Sequence, residues 1–376
     1  MNTIIYWSPF ISNVGTIKST INSAISFKKF YNNNIRIKII NVCGEWDNYK
    51  DIIKKNNIEL INLTFNYINY LPKNGFIKSR ISYLLIFFIS FIPLLKLMKN
   101  ENKSFFVAHL ITSLPIFLSL FFNLKTKLVL RISGYPKLHF LRKKFWVFAA
   151  KKISLITCPT EELRENLVKL NIFDHKKINF LPDAIINVRD IPRKKKEIIN
   201  LPTKKKFFLS VGRLTKQKNY TYLINEIFDY LKQHNQYDLI ILGEGEERKN
   251  LTNIINKKGM SNRIFLLGHV TNQYYFMKNA KALILSSLWE EVGFVIVESA
   301  LCNLLVVSSD CNNGPKEFLS NGKAGYLFKN NEKDALKKTI FQIQNDNFKK
   351  KVLAKKNSLK YTRFRHFKCF KEILGI

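Results

Sequence analysis

The chain has 376 residues, of which 46% are hydrophobic, so two domains with cores of their own are the natural expectation. Lys and Arg number 62 against 27 Asp and Glu, a formal net charge of +35, which predicts an acidic partner: nucleic acid, an anionic membrane face or a phosphorylated small molecule. Five scattered cysteines without a CxxC pair argue against a disulfide framework or a zinc knuckle and favour a reducing compartment.

Residues 1–190 alternate short apolar runs, typical of buried strands, with segments of helical periodicity. A loop with Asn13 and Gly15 separates the first strand from a helix predicted over 17–31. Strands that alternate with helices in this way predict a parallel sheet. The opening residues lack a basic stretch and a cleavage site, so no signal peptide is expected. The predicted strands are TIIYWSP, IRIKIINV, FFVAHL, KLVLRIS and KISLITCPT.

An apolar stretch at Ile81–Leu95 interrupts this pattern, with Lys78 and Arg80 before it and Lys96 and Lys99 after it. Its about 15 residues are too few for a membrane span, which needs roughly 20. Flanking cations suit a helix that lies in the interface of an anionic membrane. A buried amphipathic helix of the protein core is the alternative.

Residues 191–206 are basic, polar and punctuated by proline, which is typical of a linker. The alternation then restarts and predicts a second parallel sheet over 207–350, followed by a basic helical tail over 351–376 that packs back on the N-terminal domain. The expected fold class is therefore α/β, with two doubly wound, Rossmann-like domains facing each other across a cleft. The predicted strands of the second domain are FFLSVGR, YDLIILGEG, RIFLLGHV, KALILSS, LLVVSSD and AGYLF.

Charged residues lie where the second predicted sheet would bind a ligand. Arg213 and Lys218 follow the first strand of this domain, and a guanidinium fork with an ammonium group suits a diphosphate. Glu298 stands inside an apolar segment, where a lone carboxylate is costly unless a partner satisfies it. Gly293 breaks the chain and a helix start is predicted at Phe294, so the Glu298 carboxylate can face the same cleft as an anion-binding helix N-terminus.

Glu290 precedes Gly293 on the loop side, eight residues before Glu298. The two acids therefore bracket a ligand from the loop and from the helix, where a carboxylate can accept hydrogen bonds from two sugar hydroxyls. For Glu298, a cap or a buried ion pair is the alternative. For Arg213 and Lys218, the alternative is a pair of solvated surface cations.

The second half resembles the C-terminal domain of the family 4 (group 1) glycosyltransferases, which have the GT-B fold. The resemblance rests on the E-x7-E pattern at Glu290 and Glu298, on the strand-end Arg213 and Lys218, and on the order of the surrounding segments. It implies that the two cations neutralise the nucleotide diphosphate, that Glu290 faces the donor sugar and that Glu298 holds the ribose. Further residues implied to line the nucleotide are Gly293, Phe294, Val295 and Val270.

The N-terminal half matches the same family through fewer residues, and it would bind the acceptor. Gly15, with Asn13, sits where the family has its glycine-rich first loop near the donor phosphates. His109 occupies the strand-end position of a sugar-contacting histidine and is therefore implied to be catalytic, although a lone histidine is otherwise structural. Arg131, after the next strand, is a candidate contact of the acceptor.

No D-x-D metal signature is present, so the cations and the helix N-terminus are expected to replace a metal at the leaving diphosphate. The resemblance implies retention of anomeric configuration by a front-face reaction assisted by that diphosphate. The expected donor is a UDP-sugar, and no other cofactor is expected. The expected acceptor is a saccharide or a polyprenyl-diphosphate-linked saccharide in the synthesis of O-antigen, capsule or a similar surface polysaccharide.

The expected location is the cytoplasm, peripherally on the inner face of the plasma membrane. A nucleic-acid-binding protein is one alternative, but the sequence has no recognition motif and its charges are spread over both halves. A GT-B enzyme of another class, such as a nucleotide-sugar epimerase, is a second alternative. Such an epimerase would turn over the donor without an acceptor.

Overall fold

The computed structural model describes residues 2–11, 15–32, 34–72, 76–109, 114–136, 138–343 and 347–376. Chain contacts divide the protein into two units. The first unit consists of Met1–Ile185 together with Arg363–Ile376, and the second of Ile186–Thr362.

Each unit is built on one sheet, and the strands follow each other along the chain with helices between most of them. The strands of the first unit are β1 (Asn2–Trp7), β2 (Ile35–Asn41), β3 (Glu59–Asn62), β4 (Ser104–His109), β5 (Lys127–Arg131), β6 (Leu155–Cys158) and β7 (Ile178–Phe180). Those of the second unit are β8 (Lys206–Val211), β9 (Tyr237–Leu242), β10 (Ile264–Leu266), β11 (Ala282–Leu285), β12 (Leu305–Ser309) and β13 (Tyr326–Phe328).

The α-helices of the described chain alternate with these strands. The first part of the chain contains α1 (Gly15–Phe30), α2 (Lys50–Lys55), α3 (Phe76–Asn100), α4 (Leu114–Phe121), α5 (Phe140–Ala150), α6 (Glu161–Lys169) and α7 (Asp190–Lys194). The rest contains α8 (Tyr220–Gln233), α9 (Arg248–Lys257), α10 (Gln273–Asn279), α11 (Phe294–Leu301), α12 (Gly314–Phe318), α13 (Ala335–Phe341), α14 (Phe348–Ser358) and α15 (Arg363–Leu374).

Both sheets have the strand order of a doubly wound fold. The first runs β3-β2-β1-β4-β5-β6-β7 and the second β10-β9-β8-β11-β12-β13, with parallel pairing such as Tyr6 opposite Val107 and Val211 opposite Leu242. The order reverses between β1 and β4 and between β8 and β11, and ligands of open α/β sheets bind at such switch points. The expected α/β class with two Rossmann-like domains is confirmed.

The central strands of the first sheet, β1 and β4, are buried on both faces, which explains why they are mostly apolar. Trp7 of β1 packs on one face in a core that also contains Leu94 of α3. Its neighbour Tyr6 faces the opposite side, in a second core with α1 and α15. There the rings of Phe27 and Phe367 meet edge to face with centroids 5.3 Å apart, so α15 packs directly on α1.

The two units do not follow the expected domain bounds along the chain. Residues 191–206, expected as a linker, belong to the second unit, whose first helix, α7, overlaps them. The expected tail over 351–376 is divided: α14 packs on α11 within the second unit, and α15 belongs to the first. The chain thus returns to its first unit at Arg363.

The apolar stretch Ile81–Leu95 lies within α3, a helix of 25 residues. By length and composition alone, α3 could cross a membrane. Its side chains at four-residue spacing, including Ile86 and Leu94, are buried against the sheet, so one edge of α3 is part of the core. Another edge is apolar and solvent-facing. The large apolar side chains exposed there are Ile81, Tyr83, Leu84, Leu85, Phe88 and Ile92.

Candidate active site at the second switch point

Two loops meet at the carboxyl ends of β8 and β11, the switch point of the second sheet. The loop after β8 runs over 212–219, and the loop after β11 over 286–293. The Ser286 hydroxyl donates to the Lys218 carbonyl at 2.8 Å, and the Leu288 amide donates to the Gln217 carbonyl at 2.8 Å. The loops are therefore held to each other by hydrogen bonds, and the residues on them keep fixed relative positions.

Lys218 and Glu290 form an ion pair between these loops. The side chains are 14% and 9% exposed, so the pair is largely shielded from water. The Ser287 hydroxyl also donates to Glu290 Oε1, at 2.6 Å. A shielded ion pair needs such additional hydrogen bonds to offset the loss of hydration. The structure thus brings together two of the residues that the sequence predicts for the site.

Arg213 lies on the same loop as Lys218 but in a different environment. Its side chain is exposed, and it forms no ion pair or side-chain hydrogen bond with any described residue. The neighbouring Leu214 is buried and its amide donates to the Glu244 carbonyl at 2.8 Å, which fixes the backbone of the loop. Arg213 therefore presents an uncompensated positive charge at the carboxyl edge of the sheet.

α11 begins where the sequence predicts, immediately after Gly293. Gly293 is the N-cap and has φ 70°, a left-handed conformation that glycine adopts without the strain of a side chain. Phe294 and Val295 form the first turn, whose amide groups lack partners earlier in the helix. This helix N-terminus lies on the same switch-point loop as Glu290. Val270, the remaining predicted residue, is half-buried after β10, at the same carboxyl edge.

Glu298 lies one turn further along α11 and is only 3% exposed. Two side chains of α10 bind its carboxylate: Gln273 Nε2 at 3.0 Å and the Tyr274 hydroxyl at 3.3 Å. Burial and the nearby Glu298 charge raise the pKa of Tyr274, so that phenol stays protonated and can donate. The carboxylate has internal partners, as its burial requires, and its expected contact with a ribose stays a prediction.

Gln273 and Tyr274 are residues of the site that the sequence reasoning missed. The available signal was Asn272, whose side-chain oxygen accepts from the Tyr274 amide at 3.1 Å and caps α10. That cap places a helix start ahead of Gln273, but nothing local indicates that the first turn of α10 faces α11. The contact joins two helices that are separate in sequence.

His109 and Arg131 lie together inside the first unit. They are the last residues of β4 and β5, paired in register, and both are buried. The Arg131 guanidinium donates to Asp183 Oδ1 at 2.5 Å and to the Leu181 carbonyl at 2.9 Å, so its charge has an internal partner. Burial, with a contribution from the Arg131 charge, lowers the pKa of His109 to about 3. The imidazole is therefore neutral at pH 7, and its predicted contact with a sugar stays a prediction.

Gly15, Asn13 and a metal site are the remaining features that the sequence analysis considers. Gly15 is the exposed first residue of α1, whereas Asn13 falls outside the described residues. Within the described ranges, no group of three or more His, Cys, Asp and Glu side chains could hold a metal ion. Independence of metal stays a prediction.

Comparisons with known proteins identify the family. A family profile described as Glycosyl transferases group 1 matches residues 192–360, which lie wholly within the second unit. The N-acetylgalactosamine-N,N'-diacetylbacillosaminyl-diphospho-undecaprenol 4-alpha-N-acetylgalactosaminyltransferase of Campylobacter jejuni is 30% identical over 255 residues, which cover 65% of this chain and 67% of that protein. The chain belongs to the group 1 glycosyltransferases.

Other relatives of this glycosyltransferase align over less of their length or resemble it in fold alone. An uncharacterized glycosyltransferase of Methanocaldococcus jannaschii is 31% identical over 194 residues, 49% of this chain and 46% of that protein, so the match spans about half of that relative. The crystal structure of HepE from Anabaena in complex with UDP and glucose is 15% identical and superimposes with a TM-score of 0.73 over 99% of each chain. That likeness supports the fold of the whole chain.

Proposed function

We propose that this group 1 glycosyltransferase moves a sugar from a UDP-sugar to a lipid-linked diphosphate saccharide, with retention of anomeric configuration, in the synthesis of a surface polysaccharide. The observation that carries the proposal is the cluster at the β8–β11 switch point. There the shielded Lys218–Glu290 pair, the exposed Arg213 and the N-terminus of α11 share one edge of the sheet. This is where an open α/β sheet binds its ligand.

The cations of this cluster suit the diphosphate of the donor. Arg213 supplies a planar fork that pairs with no carboxylate among the described residues, and Lys218 supplies an ammonium group that Glu290 already holds in place. The amide groups at the start of α11 add partial positive charge. As the bond to the sugar breaks, negative charge grows on the leaving phosphate, and these fixed groups stabilise it.

The two carboxylates have different tasks in this proposal. Glu290 lies in the loop that precedes Gly293. Lys218 and Ser287 both donate to its Oε1, and in this proposal the remaining lone pairs of the carboxylate accept hydrogen bonds from the transferred sugar. Glu298 lies inside α11, past the helix start, and reaches the ribose hydroxyls. Gln273 and Tyr274 each donate to one oxygen of this carboxylate, and in this proposal the ribose hydroxyls donate to it as well.

Retention follows from a front-face reaction. The acceptor hydroxyl oxygen forms a bond to the anomeric carbon on the face from which the diphosphate departs. The bond between that carbon and the phosphate oxygen breaks, and its electron pair stays on the diphosphate. The departing phosphate oxygen takes the proton of the hydroxyl. Arg213 and Lys218 balance the charge through this exchange, and no enzyme nucleophile is needed.

The named relatives support the choice of donor and acceptor. HepE was crystallised with UDP and glucose, which favours a uridine nucleotide as the donor carrier. The Campylobacter enzyme acts on a saccharide joined to diphospho-undecaprenol, which favours a lipid-linked acceptor. Such a lipid sits in a membrane, and the exposed apolar edge of α3 gives the protein a means to work there. A peripheral position on the cytoplasmic face of the membrane is therefore part of the proposal.

Alanine substitution of the cations tests the proposal. Arg213→Ala and Lys218→Ala should each weaken UDP binding and transfer, because a charge-assisted contact contributes about 1.5–3 kcal/mol, or roughly 10- to 150-fold. Lys216→Ala is the matched control, since Lys216 is an exposed lysine of the same loop. Calorimetry with UDP and a transfer assay measure both effects. Unchanged UDP affinity in both variants would remove the diphosphate from this site.

A further inference from the structure

Tyr274 stands in the first turn of α10, a helix that packs on both α7 and α11 within the second unit. Its side chain is 8% exposed, and its hydroxyl donates to Glu298 Oε1 at 3.3 Å. The Lys194 ammonium, from α7, lies over the ring of Tyr274 at 5.4 Å from the ring centroid. An aromatic ring attracts a cation placed in this way. Tyr274 therefore joins α7 to a carboxylate of the candidate site.

The start of α10 is held to the same part of the chain through Asn272. Asn272 Nδ2 donates to the Lys194 carbonyl at 2.8 Å and to Glu197 Oε2 at 2.7 Å, while the side-chain oxygen of Asn272 accepts from the Tyr274 amide. Asn272 is buried, so water competes little for these bonds. Its side chain uses both its donor and its acceptor groups here. Residues 194–197 and the first turn of α10 thus keep fixed relative positions before a nucleotide binds.

The Glu298 carboxylate is held at both of its oxygens. Gln273 Nε2 donates to Oε2 at 3.0 Å, and the Tyr274 hydroxyl donates to Oε1. Consecutive residues of a helix project about 100° apart, so these two donors reach the carboxylate from different directions. They oppose rotation about the last bond of the glutamate side chain, a torsion that is otherwise broad. A carboxylate whose plane is fixed presents its oxygens to a ligand in one orientation.

A fixed orientation matters for a ligand with two neighbouring hydroxyls. The 2′ and 3′ hydroxyls of a ribose stand on adjacent carbons, and both can donate to one carboxylate only when its plane is turned to match them. A side chain that must be ordered during binding costs affinity, and a side chain oriented beforehand avoids that cost. A nucleotide without these hydroxyls gains nothing from the orientation of the Glu298 carboxylate.

We infer that Tyr274 is a positioning residue that makes this site selective for a ribonucleotide, by orienting the Glu298 carboxylate towards two ribose hydroxyls. Asn272 and Lys194 hold Tyr274 in place from the side of α7. The inference rests on the proposed function, which assigns the ribose to Glu298. It adds the residue that orients this carboxylate, the part of the chain that supports that residue, and a selectivity that can be measured.

Calorimetry with UDP and 2′,3′-dideoxy-UDP tests the inference in the full chain. The dideoxy nucleotide keeps the base and the diphosphate but lacks both ribose hydroxyls. The wild type should prefer UDP by at least about tenfold, because hydrogen bonds to a charged group are strong. Tyr274→Phe keeps the ring and removes the hydroxyl. It should weaken binding of UDP about fivefold, the effect of one hydrogen bond, and change binding of the dideoxy nucleotide by less than about twofold.

Tyr275→Phe is the matched control, because Tyr275 is the next residue of α10 and no described residue forms a hydrogen bond with its hydroxyl. It should keep the wild-type preference for UDP. Asn272→Asp tests the support from α7. Aspartate keeps the oxygen that caps α10 but loses the donor to residues 194–197, so the preference for UDP should fall at least about threefold. Thermal unfolding of each variant shows whether the fold is retained.

Two results would overturn the inference: Tyr274→Phe keeps the wild-type preference for UDP, or it weakens binding of both nucleotides equally, as a general loosening of the fold would. An unchanged preference in Asn272→Asp would remove the support from α7. Glu298→Gln is measured with the same two nucleotides. If Glu298→Gln loses the preference and Tyr274→Phe keeps it, this inference fails alone. If Glu298→Gln keeps it, the ribose assignment of the proposed function fails, and the inference fails with it.

Discussion

At the scale of single residues, Lys218 and Glu290 constrain each other within the candidate site. Each comes from a different strand end, and the pair is shielded from water with Ser287 as a third partner. Removing one member of such a pair leaves the other charge without its partner in a dry environment, which is strongly destabilising. A change at Glu290 therefore also disturbs the position of Lys218, and its effect must be separated from a loss of folding.

Glutamine substitutions separate the tasks of the two acids. Glu298→Gln should weaken binding of UDP, because it removes the charge that we propose to hold the ribose, whereas Glu290→Gln should chiefly lower kcat with the sugar donor. Glutamine keeps the shape and one acceptor oxygen, so a loss of about 1–3 kcal/mol is expected at each site. Calorimetry and steady-state kinetics measure the two quantities.

Glu246→Gln is the matched control for this pair, since Glu246 is exposed in the loop after β9. Thermal unfolding of each variant shows whether the fold is retained. If Glu298→Gln binds UDP as tightly as the wild type, internal partners such as Gln273 and Tyr274 explain that carboxylate, and the ribose assignment is wrong.

Charge neutralisation by side chains also predicts independence of metal. Arg213 and Lys218 with the start of α11 are expected to balance the leaving diphosphate, so transfer should survive EDTA within about twofold. The assay is transfer with and without chelator, followed by addition of Mg²⁺ or Mn²⁺. Loss of activity that either ion restores would show that a divalent cation shares this task.

At the scale of elements, a series of hydrogen-bonded polar groups links α15 to the rest of the first unit. The Pro182 carbonyl can only accept, so His366 Nδ1 donates to it, at 2.7 Å. His366 Nε2 then accepts from the Ser23 hydroxyl at 2.7 Å, and Tyr6 donates to Ser23 at 2.8 Å. This order of donors requires a neutral imidazole. Burial lowers the pKa of His366 to about 3, in agreement with that state.

The stability of the first unit should therefore fall in mild acid. His109 and His366 take up a proton near pH 6.5 when unfolded but only near pH 3 when folded, so their contribution is complete above pH 6.5 and is lost as the pH falls towards 3. By pH 5 the loss is about 2 kcal/mol for each histidine. His366→Asn should be less stable at pH 7 but less sensitive to acid.

Urea unfolding at pH 7, 6 and 5 measures this dependence. Tryptophan fluorescence reports mainly the first unit, because three of the four tryptophans, Trp7, Trp46 and Trp146, are buried there. His175→Asn, at an exposed histidine, should behave as the wild type does. Equal acid sensitivity in His366→Asn and the wild type would mean that this imidazole does not govern the acid response.

The sequence predicts those elements whose signals are local. Buried parallel strands are short apolar runs, and their carboxyl ends share an edge, so Arg213, Lys218 and Glu290 could be placed at one switch point from the sequence alone. The partners of Glu298 on α10 could not, because tertiary packing decides which helices touch. The sequence predicts that the tail packs back on the N-terminal domain, but the choice of α1 as the partner of α15 depends on tertiary packing. The extension of α3 beyond Ile81–Leu95 depends on tertiary packing in the same way.

At the scale of the whole molecule, net charge and exposed apolar surface both favour an anionic membrane. The charge of +35 attracts acidic lipid over a distance set by salt, about 10 Å at 0.1 M and 3 Å at 1 M. Attraction between charges does not by itself insert a protein into the apolar part of a bilayer. The edge of α3 with Leu84, Phe88 and Ile92 supplies apolar side chains spaced one turn apart, with Phe88 71% exposed. The two effects together should hold the protein at the surface of a bilayer.

Flotation with lipid vesicles tests this combination. The protein should bind vesicles that contain phosphatidylglycerol more tightly than neutral ones, and less tightly at 1 M salt than at 0.1 M. Changing Leu84, Phe88 and Ile92 together to serine should weaken binding by at least about tenfold, because each side chain contributes apolar burial. These side chains face solvent, so folding should be preserved. The control changes Ile198 and Phe348, exposed apolar residues of the second unit, to serine. If the α3 variant binds vesicles as tightly as the wild type and binding still falls with salt, charge alone accounts for the interaction. The exposed edge of α3 would then need another partner.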